Sequence, residues 1–152
     1  MAIQIKNLEE LKVMRRAGLL VAQIHQAIRE NIKIGMTTDA LDAIAVATIK
    51  RGGGTANFLN YHGYPKSICV SINDEIVHGI PGPRVINDGD VVSIDCGAII
   101  DGWHGDAAFS VALGAVDPED QKLMDTCEES MWRGIAAGSL RSEERRVGKE
   151  CL

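Results

Sequence analysis

Positive charge is in short supply: 16 Lys and Arg stand against 21 Asp and Glu, for a formal net charge of −5 over 152 residues. A chain with that balance has no basic footprint for nucleic acid or for an anionic membrane surface. The four cysteines, Cys69, Cys96, Cys127 and Cys151, form no CxxC pair and no zinc-finger spacing. A disulfide framework and a structural zinc site are therefore not indicated, and a reducing compartment is the expectation. No apolar stretch nears the roughly 18 residues of a membrane helix, and Met1 to Lys6 hold no signal-peptide core, so the chain is expected to be soluble and cytoplasmic. Internal repeats are absent, and no histidine follows His104.

What is present suits a domain with its own core, since 45% of the residues are apolar. The pattern predicts helix, helix, strands, helix. Asn7 with Glu10 resembles a capping box, and Leu11, Met14, Val21, Ile24, Ile28 and Ile32 then recur on one helical face up to Gly35. Thr37 or Thr38 caps a second helix carrying Leu41, Ile44, Ala45 and Ile49, which Gly52-Gly53-Gly54 stops. A loop rich in aromatic residues follows from Ala56 to Lys66, and Ile68, Val70 and Ile72 begin a β-rich part broken by Asn73-Asp74 and Pro81-Gly82-Pro83. Asp117-Pro118 opens a third helix whose Leu123, Met124, Cys127, Met131 and Ile135 are expected to face inward.

Two aspartates stand out. Asp95 and Asp106 lie inside apolar, strand-like runs on either side of Asp101-Gly102, a strong two-residue hairpin signal. Such a turn pairs Ile100 with Trp103, Gly97 with Asp106 and Asp95 with Ala108, which puts both carboxylates on one sheet face a diagonal step apart. Strand interiors disfavour Asp, and two adjacent carboxylates repel unless something cationic lies between them. A divalent ion with oxygen ligands meets that need, and a pair of such ions could activate water as a nucleophile. The structural alternative is that one Asp ends its strand while the other pairs with an Arg or Lys. His78 ends a β-like run just before Gly79 and Pro81, where an imidazole could orient a substrate amide or simply sit in a surface turn. Tyr61 and Tyr64 could wall a thioether side chain or merely pack a loop against the core. His25, Trp103 and His104 are given no function.

Taken in order, YHGYPKS from Tyr61, the Asn73-to-Pro81 segment with HGIP at His78, and IDCGAIIDGWHGDAAFS from Ile94 to Ser110 closely resemble the type I methionine aminopeptidases. The resemblance runs from about Lys6 to about Ala137. It implies an α+β pita-bread fold, of which residues 1–138 would be the N-terminal half, with a dinuclear metal centre between two pseudo-symmetric halves. It further implies removal of the initiator methionine from nascent chains, with two divalent ions (Co, Mn, Fe, Zn or Ni) as cofactors. On that pattern Asp95 and Asp106 are metal ligands, Asp106 bridging both ions, and His78 is the catalytic imidazole that contacts substrate. Phe58, Tyr61, His62, Tyr64 and Cys69 match positions that line or border the methionine pocket. Nascent polypeptide N-termini are the implied partners, with the ribosome as a further one and neither nucleic acid nor membrane.

The remaining ligands of that pattern, one histidine and two glutamates, belong to a C-terminal half that this sequence does not contain, and Glu128 and Glu129 lie in no metal motif. Two carboxylates are too few for a working site, so the chain as written is expected to be inactive. From Ser139 to Leu152 the text turns abruptly charged and stops matching, which reads as a solvated tail, from truncation or from a sequence junction. A half without its twin is expected to expose an apolar sheet face and to dissolve poorly. The alternative from another class is a non-catalytic pita-bread module that binds nascent chains or the ribosome.

Overall fold

A computed structural model describes residues 4–138, and the charged tail expected over 139–152 lies outside the described residues. The chain divides into two compact units between Val116 and Asp117.

In the first unit, helix α1 (Leu8–Asn31) begins at the capping box read from the sequence: Asn7 Oδ1 accepts from the Glu9 and Glu10 amides, and the Glu10 carboxylate accepts from the Asn7 amide. Its buried face is Ala17, Leu20, Val21, Ile24 and Ile28, whereas Leu11 stays exposed. The helix stops at Asn31 rather than running on to Gly35. Ile32 turns extended while its amide closes on the Ile28 carbonyl, and Gly35 instead takes a turn at φ 87° with its amide on the Ile86 carbonyl. Helix α2 (Thr38–Arg51) is capped by the Thr37 hydroxyl, buries Leu41, Ala45 and Ile49, and ends at Gly52. Thr38 Oγ1 exchanges hydrogen bonds with both Gly82 backbone groups, anchoring the Pro81-Gly82-Pro83 turn to the start of α2.

The sheet is antiparallel and centred on β3 (Val91–Ile100). Along one edge of β3 lie β1 (Thr55–Ala56) and β2 (Ile68–Ile72), and along the other lies β4 (Trp103–Ala112). The hairpin register is the one the Asp101-Gly102 turn dictates, with Ile100 opposite Trp103, Gly97 opposite Asp106 and Asp95 opposite Ala108. Both turn residues have positive φ, as a type I′ turn requires. Alternation then assigns the faces. Val92, Ile94, Cys96, Ala98 and Ile100 turn toward the helices and join Ile24, Ile28 and Leu41 in the core, while Val91, Ser93, Asp95, Gly97 and Ile99 turn the other way. His25 ties α1 to β4: burial pushes its imidazole pKa down, its Nε2 meets the Ala107 carbonyl at 3.0 Å, and its ring stands edge-on to Phe109.

The sheet face turned away from α1 and α2 carries small and polar residues along its middle rather than a continuous apolar surface. Across it run Ser71, Ser93 and Ser110 in register, then Cys69, Asp95 and Ala108. Ser93 and Ser110 share a hydrogen bond of 2.8 Å. Small and polar groups hold the middle of this face, while Val91 and Ile99 turn to it at the two ends of β3.

The turn into β3 is held by Asp90, which is buried. Its carboxylate accepts from the Asn87 amide at 2.8 Å and the Asn73 side chain at 2.9 Å, and these bonds hold it below the usual carboxylate range. A depressed folded pKa contributes stability that is present above the unfolded value of 3.8 and lost as pH falls through the folded one. Asp90→Asn should therefore cost about 2 kcal/mol at neutral pH in a denaturant titration, with the difference from the parent chain closing in strong acid.

In the second unit, helix α3 (Pro118–Ala137) starts as read from the sequence, with Asp117 as N-cap accepting from the Glu119 amide and Pro118 in the first turn. Its expected inward face is not found: no residue of α3 is buried, and Leu123, Met131 and Ile135 are exposed. Among the described residues α3 is the one element of its unit, and a single amphipathic helix has no second surface there against which to bury a stripe.

Candidate metal centre

Asp95 sits mid-strand in β3 and Asp106 in β4, on the sheet face away from the helices and one diagonal step apart. Among the described residues neither forms an ion pair with Lys or Arg, so the structural alternative of a carboxylate locked to a basic side chain does not hold. Asp95 Oδ1 is buried and has no hydrogen-bond partner. Burial first, and the Asp106 carboxylate second, push the Asp95 carboxyl above its ordinary range, while His78 pulls it down. An orphaned buried oxygen beside a second carboxylate is unfavourable by itself and matches a divalent cation held by hard oxygen donors. The two residues thus fit such an ion as partial ligands. Among the described residues no third His, Cys, Asp or Glu completes a cluster with them.

Cys69 lies directly opposite Asp95 on β2 and is buried. Burial first, and then the two carboxylates, push its thiol up, so it stands beside the pair as a neutral thiol. His78 is held nearby by its neighbour. The Gly79 carbonyl accepts from the Val70 amide at 2.9 Å, and its amide donates to Ser71 Oγ at 3.1 Å. His78 itself takes φ 60°, a left-handed conformation uncommon outside glycine.

An open hollow of about 670 Å³ adjoins Asp106, with Phe58, Leu59, Tyr61 and Ile99 among its walls. Of the residues singled out from the sequence, Asp106, Phe58 and Tyr61 line it. Tyr64 stands behind, edge-on to Phe58, with its hydroxyl set between the Ile68 and Gly79 carbonyls; burial pushes that phenol far up. His62 is exposed at φ 48° and stacks edge-on against Tyr61 rather than lining the hollow.

Two residues that sequence reasoning passed over also meet here. Asn57 Nδ2 donates to Asp106 Oδ2 at 3.3 Å, and Asn57 Oδ1 is hydrogen-bonded to His104 Nδ1. They lie 47 residues apart, so no local pattern joins them. Only the strand register, with His104 two residues before Asp106, could have hinted at it.

Residues 12–145 match the model of metallopeptidase family M24. Methionine aminopeptidase 1 of Mycobacterium tuberculosis (strain CDC 1551 / Oshkosh) is 50% identical over 129 residues, which cover 84% of this chain and 48% of that protein. Methionine aminopeptidase 1 of Bacillus subtilis (strain 168) is 46% identical over 130 residues, 86% of this chain and 52% of that one. The crystal structure of methionine aminopeptidase from Rickettsia prowazekii shares 35% identity with a TM-score of 0.85, covering 88% of this chain and 54% of that chain. The chain spans about half the length of the curated relatives it matches. With the aspartate hairpin in the register described and a family match across most of its length, the chain belongs to metallopeptidase family M24 and carries part of its pita-bread fold.

Proposed function

We propose that this chain supplies part of the metal centre of a methionyl aminopeptidase, which removes the initiator methionine from nascent proteins by metal-dependent hydrolysis. The observation that carries this reading is the Asp95–Asp106 pair on one sheet face with Asp95 Oδ1 buried and unpartnered. Asp95 and Asp106 are the residues that hold divalent ions, two in the complete site, drawn from Co, Mn, Fe, Zn or Ni. When bound, such ions supply Lewis acidity toward a peptide carbonyl. His78 orients the amide of the substrate. Phe58 and Tyr61 offer aromatic walls to a methionine thioether, with Tyr64, His62 and Cys69 bordering them. Similarity to methionine aminopeptidases supports nascent polypeptide N-termini as the partner; the cytoplasm as compartment and the ribosome as a further contact are part of the same proposal. No helix of the described residues is long and apolar enough to cross a membrane.

Two carboxylates make a sparse site, so residues 1–152 alone should release no methionine from a Met-Ala peptide. Joined to the part of the Bacillus subtilis relative that it does not match, and given Mn²⁺ or Co²⁺, the chain should release methionine from Met-Ala and leave Xaa-Pro peptides intact. A well-folded fusion that binds metal and cleaves neither would favour a non-catalytic binding module instead.

A further inference from the structure

Asn57 is built into the sheet in a way that reaches beyond ordinary loop packing. It follows β1 directly, and its own amide donates to the Gly97 carbonyl of β3 at 3.0 Å. From there its side chain crosses the bare Cα of Gly97 toward β4. A Cβ on Gly97 would lie 2.6 Å from Asn57 Cβ and 2.7 Å from Nδ2, so only glycine leaves this path open. Gly97 is also the residue directly opposite Asp106.

The hydrogen-bond chemistry at the far end follows from what each group can donate. A carboxylate only accepts, so the amide must present Nδ2 to Asp106 Oδ2. Turning the amide over would set two acceptors face to face. Asn57 Oδ1 is then the acceptor for His104, which must carry a proton on Nδ1; in the neutral imidazole Nε2 is then the acceptor. Among the described residues this is the only side-chain hydrogen bond to the Asp106 carboxylate, so its other oxygen stays free.

We propose that Asn57 is a positioning residue for the metal centre: reaching through the gap at Gly97, it orients the Asp106 carboxylate toward a divalent cation and fixes His104 as its Nδ1–H tautomer. The inference rests on the metal-site reading above. Outer partners of this kind hold a ligand in the geometry the ion needs, and their loss weakens metal binding without removing any ligand.

Two readouts on the full 152-residue chain test it. Long-range ¹H–¹⁵N spectra of the metal-free chain at mildly alkaline pH should show His104 protonated at Nδ1. In Asn57→Ala that signature should revert toward the Nε2–H form, and the dissociation constant for Mn²⁺ by calorimetry should rise about tenfold. A purely structural Asn57 would shift the melting temperature alone. An Nε2–H tautomer in the unsubstituted chain, or an unchanged Mn²⁺ affinity in Asn57→Ala, would overturn the proposal. An unsubstituted chain that shows the Nδ1–H form yet binds no Mn²⁺ would instead overturn the metal-site reading on which it stands.

Discussion

Asp95→Asn should bind Mn²⁺ at least about a hundredfold more weakly than the parent chain, beyond the loss typical of an outer partner, and yet melt higher than the parent at neutral pH without metal. The two effects share one cause. In the metal-free chain Asp95 holds a buried oxygen with no partner next to a second carboxylate, an arrangement that destabilises the fold and is relieved by a proton or by a metal cation. An amide removes the charge and can donate to Asp106. The pH dependence follows from the direction of the shift. Because the folded pKa of Asp95 lies above the ordinary 3.8, the folded state keeps a proton that the unfolded state has already released. The stability this represents is full below the ordinary value and lost as pH rises through the folded one. Parent and variant should therefore melt alike in strong acid and diverge as pH rises through that window, with Asp95→Asn the more stable. Mn²⁺ competes with the same proton, so its affinity for the parent should climb over the same range. Thermal melts across a pH series, with and without Mn²⁺, check both parts. A metal-free variant that melts lower than the parent at neutral pH would contradict the account.

Gly79→Ala should lose about 3 kcal/mol of unfolding free energy, the upper end of what overpacking usually costs. A Cβ at this position would lie 2.1 Å from the Val70 carbonyl oxygen and 2.8 Å from its carbon, backbone atoms of a strand already paired to β3. No rotamer change relieves that contact, so the loop must lift away from β2. Three hydrogen bonds would go with it: those to the Val70 amide, to Ser71 Oγ and to the Tyr64 hydroxyl. His78, adjacent and already at φ 60°, would be carried off the sheet face. Gly82→Ala is the control, because beyond its two chain neighbours its Cβ would come no closer than 3.9 Å to a heavy atom, and it should change the denaturant midpoint little. Equal losses at the two positions would show that close approach to β2 is not what makes Gly79 necessary.

The hairpin was the most legible part of the chain because two independent signals agree there. Asp101-Gly102 sets a two-residue turn, and once the turn is known, strand period alone assigns Asp95 and Asp106 to one face. Helix starts were legible for a similar reason, since Asn7, Thr37 and Asp117 each offer a side-chain acceptor to the first free amides. Helix ends were less so: nothing in the apolar spacing marks Asn31, where the backbone leaves the helix to make a turn that pairs Gly35 with Ile86. The apolar stripe of α3 was read correctly as a stripe and wrongly as buried, because periodicity reports a face and not what covers it. The row of serines across the sheet is not legible in the same way, although Ser71, Ser93 and Ser110 are all visible in the sequence. Their alignment depends on three strands meeting in one register, which no single run reveals. Asn57 escaped for the same reason, since its role comes from the gap at Gly97 and from a partner on the far strand.

The central claim is that Asp95 and Asp106 act together on one divalent cation, and paramagnetic broadening tests it most directly. When ¹⁵N-labelled chain is titrated with small amounts of Mn²⁺, the amide signals of Asp95, Asp106, Gly97 and Cys69 should fade first and together. They should persist at the same Mn²⁺ concentration in Asp106→Asn. Broadening centred instead on the exposed acidic residues of α3, or signals around Asp95 that survive Mn²⁺ in the parent chain, would contradict the claim.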